Sequence, residues 1–135
     1  MYISTQWQET TFIMNGGEIS RNIAINDGGG IASIVYGGEL WSDFRNIEIN
    51  GGEIIGNTAG IKGGGVRNEH GGRFTMTGGK ISENTASLGG GISSGGGIEA
   101  DAMTGGEIAY NTATQNGGGV YVEFWRKLPN DRRKD

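Results

Sequence analysis

The sequence predicts an all-β chain, a right-handed parallel β-helix (solenoid) of about four coils. Three observations carry this. Gly makes up 29 of 135 residues while Pro appears once, so the glycines belong neither to collagen nor to a Pro-rich linker. A Gly pair followed by a Gly triplet recurs four times. Between these glycines, apolar residues alternate over short runs such as Phe74-Thr75-Met76-Thr77, which is strand periodicity and not helix periodicity.

The four copies read FIMNGGEISRNIAINDGGGI, IEINGGEIIGNTAGIKGGGV, FTMTGGKISENTASLGGGI and DAMTGGEIAYNTATQNGGGV. Their Gly pairs begin at Gly16, Gly51, Gly78 and Gly105, so the last two steps are 27 residues and the first is 35. The triplets begin at Gly28, Gly63, Gly89 and Gly117. Aligned on the pair, the copies give an Ile column (Ile19, Ile54, Ile81, Ile108), an Asn column (Asn22, Asn57, Asn84, Asn111) and an Ala column (Ala24, Ala59, Ala86, Ala113). The runs are too short and too rich in Gly for helical repeats.

Each repeat is expected to supply three short strands, placed in the third unit around Val66, Phe74–Thr77 and Lys80–Glu83. Stacked at about 4.8 Å per coil, four coils make a body roughly 20 Å long. Gly belongs at the corners, where stacked turns leave no room for a Cβ and the backbone needs positive φ. The Ile column is expected to face inward in every coil. The Asn column is expected to tolerate left-handed backbone and to bond amide to amide between coils.

The hydrophobic share of 34% is low, which fits a thin core repeated coil after coil. Residues 1–125 carry six Lys/Arg against thirteen Asp/Glu, and residues 126–135 five against two. An acidic body argues against nucleic acid as a partner. The division is therefore a solenoid over 1–125, with a loop insertion within 34–45, and a basic polar tail over 126–135. No apolar run reaches membrane-span length, and the absence of cysteine leaves redox compartment unread. The opening MYISTQWQET lacks the regions of a signal peptide, which suggests a mature form or a piece of a longer repeat protein.

The pattern F-x-M-x-G-G-x-I-x-x-N-T-A-x-x-x-G-G-G-V resembles the right-handed parallel β-helix repeats of bacterial surface and adhesin-like proteins. It is similar, more distantly, to the polymorphic outer-membrane protein repeats of chlamydiae. Phe12 to Asn15 fits that family's F-x-x-N, while Ile47 replaces Phe and Thr77 replaces Asn in later copies; Gly63-Gly64-Gly65-Val66 stands where it has Gly-Gly-Ala. The resemblance covers about residues 11–122. It implies an extracellular or cell-surface setting and carries over no catalytic residue.

Departures from the repeat are where ligand contact is expected. The segment Ile34–Arg45 holds Tyr36, Trp41 and Phe44 beside Asp43, aromatics and acid suited to a sugar ring, and these four are the candidate ligand-binding residues. The column Glu18, Glu53, Lys80, Glu107 reads as a surface charge ladder; two carboxylates fall short of the about six to eight oxygens that calcium takes, so no metal or cofactor is expected. Phe124 and Trp125 at one end and Trp7 at the other are candidate caps, and an uncapped stack is expected to self-associate end to end.

The function expected is a non-catalytic, surface-exposed structural or adhesin-like module meeting carbohydrate or a host-cell surface. The alternative is a carbohydrate-active β-helix enzyme. Lyases of that fold need clustered Asp ligands and a basic residue, and hydrolases need close carboxylates. Here the aspartates occupy different repeat positions, and His70, the only His, sits in Glu69-His70-Gly71, which reads as a corner. An ice-binding Thr array is a further alternative, but the pair Thr75/Thr77 is matched by Ile13/Asn15, Glu48/Asn50 and Ala102/Thr104.

Overall fold

A computed structural model describes residues 8–34, 43–69, 73–95 and 102–123. Every element in these segments is a strand. Coil 1 holds β1 (Gln8–Met14), β2 (Glu18–Ser20), β3 (Ile23–Ala24) and β4 (Ile31–Ser33). Coil 2 holds β5 (Asp43–Ile49), β6 (Glu53–Ile55), β7 (Thr58–Ala59) and β8 (Val66–Asn68). Coil 3 holds β9 (Phe74–Met76), β10 (Lys80–Ser82), β11 (Thr85–Leu88) and β12 (Ile92–Ser94), and coil 4 holds β13 (Ala102–Met103), β14 (Glu107–Ala109), β15 (Thr112–Asn116) and β16 (Val120–Val122).

The strands form four parallel sheets: β1-β5-β9-β13, β2-β6-β10-β14, β3-β7-β11-β15 and β4-β8-β12-β16. Each coil therefore contributes four strands and not three. The missed strand is the short run directly after each Asn, Thr-Ala in three coils and Ile23-Ala24 in coil 1, two residues long in β3 and β7 and too brief there to show an alternation.

Register follows the columns. Ile19 pairs with Ile54, Ile54 with Ile81, and Ile81 with Ile108. Ile54 and Ile81 are wholly buried, whereas Ile19 and Ile108 are half-buried. Burial in every coil was expected, and the end coils depart from it because, among the described residues, each has a neighbouring coil on one side only. The core draws Met14, Ile47, Ile49, Phe74 and Met76 from the first sheet, Ile54 and Ile81 from the second, and Val66 and Ile92 from the fourth. The third sheet faces inward with Ala59 and Ala86, also buried. Large residues on the first, second and fourth sheets and Ala on the third keep the core thin, which accounts for the low apolar content.

Of the loop insertion expected within 34–45, residues 35–42 lie outside the described residues. Strand β5 begins at Asp43, where Asp43, Phe44 and Arg45 pair with Gln8, Glu9 and Thr10 of β1. The first sheet is thus widest in coils 1 and 2, whose strands run seven residues against three in β9. Coil 3 has one residue fewer than coil 2 between Asn and triplet, and the third sheet absorbs this as a register shift between Ala86 and Leu88.

The Gly triplet makes an unusual corner. Gly63, Gly64, Gly65 and Val66 donate their backbone N–H groups to Leu88, Gly89, Gly90 and Gly91 of the next coil at 2.9–3.1 Å. A strand alternates its donors between two neighbours; here four consecutive donors all point at the same one. Close approach is the reason for Gly at the middle position. A Cβ on Gly64 would strike the Gly90 carbonyl and come within 2.6 Å of the Thr85 nitrogen, whereas a Cβ on Gly16 meets nothing. Gly64→Ala is expected to destabilise the chain by about 1–3 kcal/mol as backbone overpacking. Gly16→Ala should differ little from wild type in urea-melt midpoint.

The left-handed corner before the third sheet belongs to the residue preceding Asn, and not to Asn itself. Arg21, Gly56, Glu83 and Tyr110 hold φ of 55°, 69°, 57° and 58°. Three side-chain-bearing residues accept this backbone so that the Asn amide can turn inward.

Candidate functional site

The Asn column is the most completely bonded polar feature of the chain. Asn84 Nδ2 donates to Asn111 Oδ1 at 3.0 Å and to the Ile54 carbonyl at 2.9 Å. Its Oδ1 accepts from Asn57 Nδ2 at 3.0 Å and from the Asn57 backbone N–H at 2.8 Å. Asn57 repeats the arrangement toward Asn22 and Ile19. Asn57 and Asn84 are completely buried. With both amide protons and the carbonyl taken, neither offers a group to a ligand, so the ladder is architecture.

A second, exposed ladder runs at the Gly-pair corner. Asn50 Nδ2 donates to Asn15 Oδ1 and to Glu48 Oε1, and Thr77 Oγ1 donates to Asn50 Oδ1 at 2.7 Å. The Thr and Asn that a Thr array would present outward thus bond to one another along the stack. The charge column is in register, with Lys80 between Glu53 and Glu107. Lys80 nevertheless makes no ion pair with any described residue.

Ion pairing occurs instead on the fourth sheet, at a place the repeat did not mark. Arg67 follows Val66 on β8, where the paired residues are Ala32 and Ser93. Its residue exposure is 3%. A buried guanidinium requires partners. Nη1 donates to Ser93 Oγ at 3.1 Å, and Nη2 lies 3.7 Å from Glu123 Oε2. Glu123 also pairs with Lys62. Glu123 stacks two coils above, and Gly95 lies on the path between them; a Cβ there would lie 3.5 Å from Nη2. The cluster fastens coils 2, 3 and 4 together. The spacing of Lys62, Arg67, Ser93 and Glu123 does not announce it: Arg67 and Ser93 share a repeat position, but Lys62 and Glu123 come from two others.

Of the sequence-derived ligand residues, Tyr36 and Trp41 lie outside the described residues. Asp43 and Phe44 have their backbones on β5, at the end of a strand and not in a loop. His70, Trp7, Phe124 and Trp125 also lie outside the described residues. Among the described residues no group of three or more His, Cys, Asp or Glu is placed to hold a metal. No described helix is long and apolar enough to cross a membrane.

No family model, no curated protein and no solved structure matches the chain.

Proposed function

We propose that the chain is a right-handed parallel β-helix serving as a non-catalytic, surface-exposed adhesin-like module, whose contacts are with carbohydrate or a host-cell surface. The handedness rests on the crossover rule: twisted parallel strands joined out of sheet and back are right-handed in nearly all cases. The observation that carries the functional reading is where the polar side chains go. The recurring Asn are spent on bonds between coils, inside and at the Gly-pair corner, and Arg67 is spent on Glu123 and Ser93. What remains outward is a column of Glu18, Glu53, Lys80 and Glu107 at strand spacing, together with exposed Ile23, Ile25 and Tyr110, a surface suited to weak contacts multiplied along a stack. The resemblance to bacterial surface repeats supports the extracellular setting.

The test is a glycan array and intact host cells probed with wild type and Trp41→Ala, run beside an assay for new reducing ends or unsaturated products from polygalacturonate and related polymers. Binding by wild type that Trp41→Ala weakens, with no polymer cleavage, is the expected result. Cleavage would overturn the reading in favour of an enzyme. Absence of binding to both glycans and cells would remove the adhesin-like role.

A further inference from the structure

The stack has a chemical polarity, and its two ends are complementary. At the triplet corner every coil donates toward the coil that follows. Gly28, Gly29, Gly30 and Ile31 donate to coil 2, and Gly89, Gly90, Gly91 and Ile92 donate to coil 4. In coil 4 the equivalent donors are the N–H groups of Gly117, Gly118, Gly119 and Val120. Among the described residues these four find no acceptor. At the opposite end, the carbonyls of Asp27, Gly28, Gly29 and Gly30 occupy the positions that accept in later coils, as Asn116, Gly117, Gly118 and Gly119 do for coil 3. Among the described residues they receive no donor.

The Asn ladder ends with the same polarity. Each Asn donates its backbone N–H and one Nδ2 proton to the next Oδ1. Asn111 therefore has two donors directed beyond coil 4, and Asn22 has an Oδ1 without a donor among the described residues. The apolar residues correspond too. Met103 and Val120 are 48% and 46% exposed on the last coil. The register that sets Met103 on Met76, Ile108 on Ile81 and Val120 on Ile92 would set Met14, Ile19 and Ile31 of a second copy on Met103, Ile108 and Val120.

We propose that this chain stacks head to tail on a second copy of itself, coil 1 of one upon coil 4 of the other, in the register its own coils use. Two last coils would oppose donor to donor and two first coils acceptor to acceptor, so neither symmetric pairing satisfies the edges. A head-to-tail contact does not close, and the product is an open linear polymer. The inference stands apart from the adhesin-like reading, since a chain that binds no glycan keeps these ends.

A row of N–H donors can also cradle an anion, so the test includes inorganic phosphate. Sedimentation velocity of the full chain from low concentration to about 1 mM should show a continuous growth in size that does not stop at a dimer. Val120→Pro removes a donor that has no acceptor among the described residues, on the outward side of an edge strand where proline is tolerated. It should weaken association about tenfold or more with an unchanged thermal melt. Mixed with wild type, it should shorten the polymers, because its first coil still accepts while its last coil lacks one of the donors that hold the next copy. Should Val120→Pro fail to fold, Met103→Lys, which sets an ammonium against the next copy's Met14, carries the same expectation. A strict monomer throughout, a discrete dimer, or folded variants that assemble like wild type would each overturn the proposal. Phosphate binding by a monomer, lost in Val120→Pro, would overturn it in favour of an anion cradle.

Discussion

Asn84→Ala is expected to remove roughly 3–5 kcal/mol of stability, because truncation leaves several buried groups without partners at about 1–3 kcal/mol each and such losses are not fully additive. The groups are identifiable. The Asn57 backbone N–H and Nδ2 lose their shared acceptor, and the Ile54 carbonyl loses its donor. Asn57 is wholly buried, so water does not replace what is lost. Thr85→Ala, one residue along, removes an outward, half-buried hydroxyl while the backbone bond from Thr85 N–H to the Asn57 carbonyl survives. It should cost no more than about 0.5 kcal/mol. Asn84→Asp is the sharper control. It keeps an oxygen for Asn57 but turns a second oxygen toward the Ile54 carbonyl and Asn111 Oδ1, so it should be at least as damaging as Asn84→Ala at neutral pH. Urea midpoints at constant m-value measure all three. Equal midpoints for Asn84→Ala and Thr85→Ala would show that the ladder contributes nothing.

Ile81→Ala should destabilise by about 2–5 kcal/mol, the range for a large-to-small change at a site that cannot collapse. Ile81 is held between Ile54 and Ile108 at strand spacing, and its neighbours belong to paired backbones that have little freedom to close the cavity. Ile19→Ala removes the same atoms from a half-buried site on an end coil, so its effect should be about half as large or less. The comparison of the two melting curves tests the layered core. An Ile19→Ala variant as unstable as Ile81→Ala would mean that burial does not grade from the middle of the stack to its ends.

These two residue columns were legible because they recur without exception at fixed offsets from the Gly pair, and identical residues in four aligned copies have few structural explanations. The parallel pairing of Lys80 with Glu53 and Glu107 was legible for the same reason. The fourth strand was not, because two residues after an Asn carry no periodicity. Nor was the left-handed column: Arg21, Gly56, Glu83 and Tyr110 share no residue type, since only the backbone is fixed there and the side chains point to solvent. The Arg67–Glu123–Lys62 cluster was hidden for a third reason. Its members lie at three different repeat positions, Lys62 and Arg67 in coil 2 and Glu123 after β16 in coil 4, and only stacking brings them together. In the aromatic segment, the pairing of Asp43–Arg45 with Gln8–Thr10 was not legible either, because nothing in the repeat marks where β5 begins.

Coils that stack in register through a buried amide ladder must protect its protons, and side-chain hydrogen exchange reads that protection. The Nδ2 protons of Asn57 and Asn84 are expected to exchange at least about a hundredfold more slowly than those of the exposed Asn26 and Asn116, because opening them requires separating coils. Exchange of Asn57 and Asn84 at the rate of Asn26 would contradict it.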